Sequence, residues 1–176
     1  GSEIARQVAN YEYKSLVLLD QAESALYDLQ QSFKRDKNEN FEVELADIRN
    51  EERLTQLFET YDFDIILHAA AYKHVPLMEN NPYEALRVNV FGSSLLMRMA
   101  MRYGVEKFIM VSTDKAVNPT NVMGATKRVA EIYANCLNTQ GKTKFVTTRF
   151  GNVLGSNGSV IPLFERQIKN GGPLTV

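Results

Sequence analysis

The chain has 176 residues, 44% hydrophobic and 23% charged, with a formal net charge of −1. This is the composition of a globular domain, which excludes intrinsic disorder, and its balanced charge offers no cationic surface for nucleic-acid binding. With one cysteine, two histidines and no apolar run near the ~18 residues of a membrane span, we expect no disulfide, no metal and no direct membrane contact from this segment.

Short apolar segments alternate along the chain with segments of helical periodicity. Strands are predicted at 15–20, 41–45, 64–68, 107–112 and 145–150, and most are continuously apolar, which is typical of strands buried on both faces of a parallel sheet. Helices are predicted at 22–34, 51–61, 82–103, 123–138 and 159–170. The alternation predicts right-handed βαβ units and an α/β fold with a doubly wound parallel sheet.

The chain does not begin or end with the elements that begin and end such a fold. A helical pattern at Ile4, Val8 and Tyr11 stands where a strand and a glycine-rich turn are expected, and a new strand begins near 174–176. We therefore expect residues 1–176 to be a partial dinucleotide-binding Rossmann domain, an excerpt of a longer chain. It would lack its first strand and most of the C-terminal substrate region, which begins at about 150–176. In the strand order 3-2-1-4-5-6 the first strand is central, so we expect the isolated chain to be poorly stable.

Acidic residues follow the first two strands. Asp20 can accept hydrogen bonds from an adenosine ribose and repel a 2′-phosphate, or it can cap the next helix. Gly1 lies about twenty residues upstream, which is the spacing from the last glycine of a phosphate-binding turn. Asp47, followed by Ile48, can bind an adenine amino group beside an apolar wall, or cap the helix at 51–61.

Small and then basic residues follow the third strand. Ala69-Ala70-Ala71 would let a ligand approach the backbone at the carboxyl edge of the sheet, or would allow close helix packing. Lys73 suits a phosphate-binding crevice, although a lone surface lysine usually only solubilises. His74 is a candidate substrate contact.

Hydroxyl, carboxylate and ammonium groups follow the fourth strand in direct succession, at Thr113, Asp114 and Lys115. Lys127 lies on the next helix, on the same face as Met123 four residues earlier. Taken alone, such a lysine is usually solvated and such a methionine is usually in the core. The loop after the fifth strand, with Asn152 and Ser156, can wrap a substrate or be an ordinary long loop.

Together these residues resemble an extended short-chain dehydrogenase/reductase. More narrowly they resemble the CapD-like polysaccharide biosynthesis family, the nucleotide-sugar 4,6-dehydratases acting on UDP-N-acetylglucosamine. The most specific match is STDKAVNPTNVMGATKR at 112–128, supported by HAAAYKHVPLMENNP at 68–82, ADIR at 46–49 and RFGNVLGSNGSVIP at 149–162. The resemblance implies NAD as cofactor rather than NADP, a UDP-sugar substrate, a homo-oligomer and a cytoplasmic location, in some members as part of a membrane-anchored parent.

The resemblance also implies roles for individual residues. Thr113, Asp114 and Lys115 would handle substrate and protons, and Lys127 would lie at the nicotinamide ribose. The implied cofactor and substrate contacts are Gly1, Asp20, Asp47, Ile48, Ala69, Ala70, Ala71, Lys73 and Asn89 for NAD, and Lys73, His74, Asn152 and Ser156 for the sugar. Met123 stands where the superfamily usually has tyrosine, as it does in the long, membrane-anchored dehydratases.

The implied reaction oxidises sugar C4, removes the C5 proton and the C6 hydroxyl as water, and returns hydride to C6. A base near neutral pH must be a lysine with a lowered pKa, and we assign this base to Lys115, beside Lys127. Asp114 would serve as the acid if burial raised its pKa, and Thr113 would accept the C4 hydroxyl proton. The alternatives are a UDP-hexose 4-epimerase on the same fold, which needs no acid–base pair here, and a catalytically silent NAD-binding sensor or scaffold.

Overall fold

The structure, a computed structural model, describes residues 1–151, 153 and 160–174. This part of the chain contains five parallel strands, with helices before, between and after them. The strands are β1 (Leu16–Asp20), β2 (Phe41–Leu45), β3 (Ile65–His68), β4 (Lys107–Val111) and β5 (Lys144–Thr148). The helices are α1 (Ser2–Val8), α2 (Glu23–Arg35), α3 (Glu51–Thr60), α4 (Val75–Asn80), α5 (Pro82–Ala85), α6 (Ser93–Arg102), α7 (Val122–Leu137) and α8 (Val160–Lys169). The predicted α/β fold with parallel pairing is confirmed.

The strands form two ladders. β1 pairs with β2, and β3, β4 and β5 pair in that order, all in parallel. Among the described strands, only β4 has a ladder partner on both edges. These pairings are compatible with the predicted order 3-2-1-4-5-6, in which a further strand would separate β1 from β3. Parallel pairing brings the carboxyl ends of neighbouring strands to one edge, which is where the candidate site residues follow.

The expectation that most strands are buried on both faces is not met in the second ladder. One face carries the buried side chains of His68, Phe108, Met110 and Phe145, which form part of the main core with α3, α6 and α7. On the opposite face Leu67 pairs in register with Ile109 and Ile109 with Val146, and the outer two are exposed. Within the described residues the helices cover one face of this ladder.

The long helix predicted at 82–103 is three consecutive pieces. Between α5 and α6 the segment Leu86–Gly92 is a π-helix, and a short helix, α4, which the sequence did not predict, precedes α5. A Cβ at Gly92 would lie 2.9 Å from the side chain of Ile48, so the missing side chain allows this segment to approach the loop after β2. π-Helical turns are frequent at functional sites, and this one carries the buried Asn89.

The core is formed by the predicted helical stripes. In α2, Leu26, Leu29 and Phe33 recur at helical spacing and pack with Leu18 of β1. Asn50 and Asn121 cap α3 and α7 with their side-chain oxygens, which fixes where these helices start beneath the sheet edge. None of the described helices has the length and apolar character needed to cross a membrane.

Candidate active site

A cleft of about 170 Å³ lies where β1, β2 and β3 end. Its lining is formed by Leu19, Asp20, Gln21, Ala46, Asp47, Ile48, Ala69, Ala70, Ala71, Tyr72 and Val88. The structure thus brings six of the predicted cofactor residues into one cleft: Asp20, Asp47, Ile48, Ala69, Ala70 and Ala71. The three alanines leave the backbone approachable, and a carboxylate stands beside them, so these residues could hold an adenosine moiety. The other five lining residues were not predicted as site residues, since nothing in their local pattern separates them from ordinary core or loop residues: Leu19, Gln21, Ala46, Tyr72 and Val88.

Asp20 at the end of β1 lines the cleft. Its carboxylate accepts a hydrogen bond from the backbone N–H of Ala22 at 2.9 Å, which forms a turn just before α2. The predicted cofactor residue Gly1 is the N-cap residue of α1.

Asp47 is held by a neighbouring arginine. Its carboxylate accepts hydrogen bonds from the backbone and guanidinium of Arg49, at 2.9 Å and 2.6 Å, and Arg49 reaches Glu84 on α5 at 3.3 Å. The hydrogen bonds from Arg49 lower the pKa of the Asp47 carboxyl. This carboxylate is thus ionised at neutral pH, fixed in orientation, and linked to the helix that leads to Asn89.

Asn89 is fully buried and its amide is occupied by protein groups. It accepts from Tyr72 N–H at 2.8 Å and donates to Tyr72 C=O at 3.0 Å and to Thr126 Oγ1 at 3.0 Å. These bonds tie the loop after β3 to α7. In this arrangement Asn89 shapes the wall of the cleft from behind Tyr72.

The predicted proton-transfer residues form a turn at the carboxyl end of β4. Asp114–Ala116 is a single 3₁₀ turn capped by Thr113. Thr113 Oγ1 donates to Asp114 Oδ1 at 2.8 Å, and Lys115 Nζ lies 3.3 Å from the same oxygen. Asp114 N–H also donates to Phe150 C=O at 3.1 Å, so the turn adjoins the segment that follows β5.

The pKa of Asp114 is lowered, whereas its predicted role as an acid required burial to raise it. Its side chain is 56% exposed, and the hydrogen bond from Thr113, reinforced by Lys115, lowers the pKa of the carboxyl. The reason is geometric: the 3₁₀ turn directs Asp114 toward solvent rather than into the core. In the free protein this group is therefore a carboxylate at neutral pH.

Lys127 is the lysine with a markedly lowered pKa. Only 5% of the residue is exposed, and burial lowers its pKa to about 8, against the opposing effect of the Glu131 carboxylate. His68 at the end of β3 is also buried, bonds to Ser93 Oγ at 2.8 Å, and has a pKa lowered to about 3 by burial and by the charge of Lys127. Lys127 thus faces the sheet, and its burial could not be read from helical spacing alone.

Met123 lies in the core, which is the simpler of the two interpretations weighed for it. It is buried with Met78 and Ala85 at the start of α7. A Cβ at the next residue, Gly124, would lie 2.3 Å from the carbonyl oxygen of Lys115, so α7 abuts the backbone of the turn. This close approach joins the turn 113–115 to the helix of Lys127.

The remaining predicted substrate contacts are Lys73, His74, Asn152 and Ser156. His74 is the N-cap residue of α4 and Lys73 precedes it, both exposed. Asn152 and Ser156 lie outside the described residues. Among the described residues no group of three or more potential metal ligands comes together.

Comparisons with known proteins show the family of the chain. The family described as "Polysaccharide biosynthesis protein" matches residues 1–176. The capsular polysaccharide biosynthesis protein CapD of Staphylococcus aureus is 48% identical over 100% of this chain and 30% of its own length. A UDP-N-acetylglucosamine 4,6-dehydratase (inverting) of Campylobacter jejuni is 36% identical over 92% of this chain and 48% of its own.

A solved structure extends the comparison to the fold. The X-ray structure of Pen from Bacillus thuringiensis superposes with a TM-score of 0.92 and 39% identity, over 100% of this chain and 56% of that chain. The chain thus spans between about a third and just over half of the length of these relatives. The likeness covers the cleft, the turn 113–115 and α7 together.

Proposed function

This chain belongs to the polysaccharide biosynthesis protein family, and from that premise we propose that the intact protein is a nucleotide-sugar 4,6-dehydratase. It is a lyase that converts UDP-N-acetylglucosamine to the 4-keto-6-deoxy sugar for surface-polysaccharide synthesis. The similarity to a named UDP-N-acetylglucosamine 4,6-dehydratase supports this substrate. The observation that carries the proposal is the hydrogen-bonded chain from Thr113 through Asp114 to Lys115 at the carboxyl end of β4.

The cofactor of the proposed reaction is NAD, which when bound supplies the acceptor and donor of hydride. The residues that would hold it are Asp20 at the adenosine ribose, Asp47 and Ile48 at the adenine, the three alanines at 69–71, and Lys127 at the nicotinamide ribose. The grouping of six of these residues around one cleft at the carboxyl ends of β1, β2 and β3 supports this assignment. The charge of Asp20 disfavours the 2′-phosphate of NADP.

In this proposal the proton of the sugar C4 hydroxyl moves through the Thr113 hydroxyl to the Asp114 carboxylate. Because Thr113 donates its own hydroxyl hydrogen to Asp114, its oxygen can accept the proton of a sugar hydroxyl as that hydrogen moves on to the carboxylate. Asp114, ionised in the free protein, thereby becomes the protonated acid that the C6 hydroxyl needs in order to leave as water. The proton lost at C4 is the proton that completes the water molecule, so Asp114 need not begin the cycle protonated.

Lys115 takes the C5 proton in this proposal. The Lys115 ammonium, which pairs with Asp114 in the free protein, first releases a proton to solvent. The amine then removes the C5 proton made acidic by the adjacent ketone, and it returns a proton to C5 when the double bond is reduced. Met123, buried and without a titratable proton, takes no part in proton transfer. Each proton transfer is therefore assigned to a residue of the turn 113–115.

The decisive experiment incubates the intact protein with UDP-N-acetylglucosamine and NAD and follows the sugar by mass spectrometry. We expect the product to be lighter than the substrate by one water. A new isomer of unchanged mass would instead identify the 4-epimerase, and an unchanged sugar would support the catalytically silent sensor or scaffold.

The cofactor assignment is tested separately by measuring NAD and NADP binding to the intact protein. We expect NAD to bind more tightly, and Asp20→Ser to narrow the difference, because the serine no longer repels a 2′-phosphate. Equal binding of both cofactors by the unsubstituted protein would contradict the role of Asp20.

We further propose that the intact protein is a homo-oligomer and that this part of it is cytoplasmic. Val129 and Ile132 are three residues apart on α7 and about half exposed, and Phe91 on the preceding π-helix is more exposed still. Apolar side chains of this size on neighbouring helices support association with a second copy. Light scattering of the intact protein and of Ile132→Lys tests this, with a smaller mass expected for the variant.

A further inference from the structure

A buried carboxylate that the proposed reaction does not use lies beneath the turn 113–115. Glu131 on α7 is 1% exposed, and it accepts hydrogen bonds from Ser112 Oγ at 2.6 Å, from Arg149 Nε at 2.9 Å and from Arg128 Nη1 at 3.2 Å. Burial alone raises the pKa of the Glu131 carboxyl, but the bonds from Arg149, Ser112 and Arg128 outweigh it and the net pKa is lowered. Glu131 is therefore a buried, ionised and fully engaged group.

The partners of Glu131 come from the segments that carry the candidate chemistry. Ser112 directly precedes Thr113, and Arg149 directly precedes the segment whose Phe150 carbonyl accepts from Asp114 N–H. The helix that supplies Glu131 also supplies Lys127, one turn earlier. A single carboxylate thus joins the end of β4, the end of β5 and the lysine-bearing face of α7.

Glu131 also acts on the charge of Lys127. Within the part of the chain that the structure describes, Lys127 interacts electrostatically with His68 on β3, which is neutral, and with Glu131 on its own helix. Arg128 and Arg149 in turn form ion pairs with Glu131. The negative charge of Glu131 opposes the effect of burial and so helps Lys127 to remain protonated at neutral pH.

Such a network is not explained by stability alone. A buried ion pair costs desolvation energy that its attraction only partly offsets, and apolar residues of similar volume often stabilise as well or better. What hydrogen-bonded ion pairs add is a defined geometry, because each partner must meet the carboxylate in a fixed direction. Here that geometry sets three segments of the site relative to one another.

We propose that Glu131 is a positioning residue, which holds the turn 113–115 and the segment after β5 in register with Lys127 and places a negative charge one helical turn from Lys127. The assignment rests on the proposed dehydratase function for its kinetic consequence, and on the structure of the free protein for its effect on Lys127.

The test compares Glu131→Gln with Glu44→Gln in the intact protein. Glu44 is a matched control because it also accepts from a hydroxyl, that of Tyr61 at 2.6 Å, and from an arginine, Arg53, but it joins β2 to α3. We expect kcat to fall by about 10²-fold in Glu131→Gln with little change in KM, since misplacing catalytic groups by about 1 Å has effects of this size. Glu44→Gln should keep the kcat of the unsubstituted protein.

A second measurement does not depend on activity. The lysine ¹³Cε resonances of the free protein, with Lys127 assigned through Lys127→Arg, report its titration, which lies near pH 8. We expect the midpoint to fall in Glu131→Gln, to remain in Glu44→Gln, and to be restored by Glu131→Asp, which keeps the charge but shortens the reach. The kcat of Glu131→Asp should stay low, because the shorter carboxylate cannot meet Ser112 and Arg149 together.

Should Glu131→Gln fail to fold, Ser112→Ala removes the bond to β4 and leaves the ion pairs in place, and its kcat should fall while Lys127 titrates unchanged. The proposal is overturned if Glu131→Asp and Ser112→Ala both keep the unsubstituted kcat, or if the Lys127 midpoint in a folded Glu131→Gln equals that in Glu44→Gln. If the unsubstituted protein removes no water from the sugar, the proposed function fails by itself, and the titration still decides the effect of Glu131 on Lys127.

Discussion

Beyond the carboxyl end of β4 lie an exposed pair, the ion-paired Asp114 and Lys115, and a buried pair, Lys127 and Glu131, in which the carboxylate forms its ion pairs with Arg128 and Arg149 instead. Asp114 and Lys115 form an ion pair of 3.3 Å on the turn, with side chains 56% and 36% exposed. Lys127 and Glu131 stand one turn apart on α7 and are both almost fully buried. The pKa shifts in the two pairs have different physical causes. Hydrogen bonds from its own turn lower the pKa of the exposed Asp114 carboxyl, whereas burial lowers the pKa of Lys127.

The proposed function assigns the two pairs different tasks. In that proposal the exposed pair exchanges protons with the sugar, while the buried pair provides a fixed frame. A lysine with a lowered pKa was expected at the proton-transferring position, Lys115. The lowered pKa is found on Lys127 instead, because Lys127 is buried and the effect of burial exceeds the opposing effect of the Glu131 charge.

The largest effect should come from the exposed pair. Lys115→Met is expected to lower kcat by about 10²–10⁴-fold and to stop exchange of the C5 proton with solvent, because general-base groups contribute on this scale. The matched control is Lys107→Met, since Lys107 forms a similar pair with Glu106 at 3.2 Å, at the opposite end of the same strand. Turnover and deuterium incorporation at C5 are measured for both variants. Equal losses of kcat in the two variants would contradict the role of Lys115 as the general base.

Lys127→Met tests the buried pair through stability. The folded-state pKa of about 8 lies below the ordinary lysine value of 10.5, so between these pH values the unfolded chain holds a proton that the folded protein has released. The free energy of unfolding of the unsubstituted protein should therefore rise by about 3 kcal/mol from pH 7 to pH 10.5 through this group. In Lys127→Met that rise should be absent. Denaturant unfolding at both pH values measures it, and parallel curves would contradict the burial of a charged Lys127.

Gly124→Ala tests the contact that joins the two pairs. The added Cβ would meet the Lys115 carbonyl oxygen at 2.3 Å, and a backbone atom cannot move away without displacing the turn. We expect a loss of about 1–3 kcal/mol in unfolding free energy, typical of overpacking, together with a lower kcat. Gly151→Ala is the control, because its Cβ would lie 3.7 Å from Asp114 Oδ2, an ordinary contact. If both variants match the unsubstituted protein, the turn and α7 are independent of each other.

Much of the cofactor cleft could be predicted from local sequence. Asp20, Asp47 and Ala69–Ala71 each follow an apolar run, and strands of a parallel sheet end at one edge, so their meeting follows from the order of elements alone. The alternative interpretation of Asp20 as the cap of the next helix is wrong, since the N-cap residue of α2 is Ala22 and no side chain caps this helix. The Asp20 carboxylate accepts from Ala22 N–H in the preceding turn while it lines the cleft.

The buried network could not be predicted in this way. Ser112, Glu131 and Arg149 are 19 and 18 residues apart along the chain, and each alone is typical of a solvated polar residue. The π-helix at Leu86–Gly92 was likewise missed, because its apolar stripe has the period expected of a longer α-helix.

The sequence by itself determined the α/β alternation, the parallel order of strands and the edge at which the site residues stand, because hydrophobic periodicity and strand direction are local properties of the chain. Only the tertiary structure decided which charges are buried. Whether a lysine on a helix titrates near 8 or a carboxylate stays ionised depends on the desolvation and the hydrogen bonds contributed by distant segments, as at Lys127 and Glu131. Those contributions exist only when β4, β5 and α7 have come together.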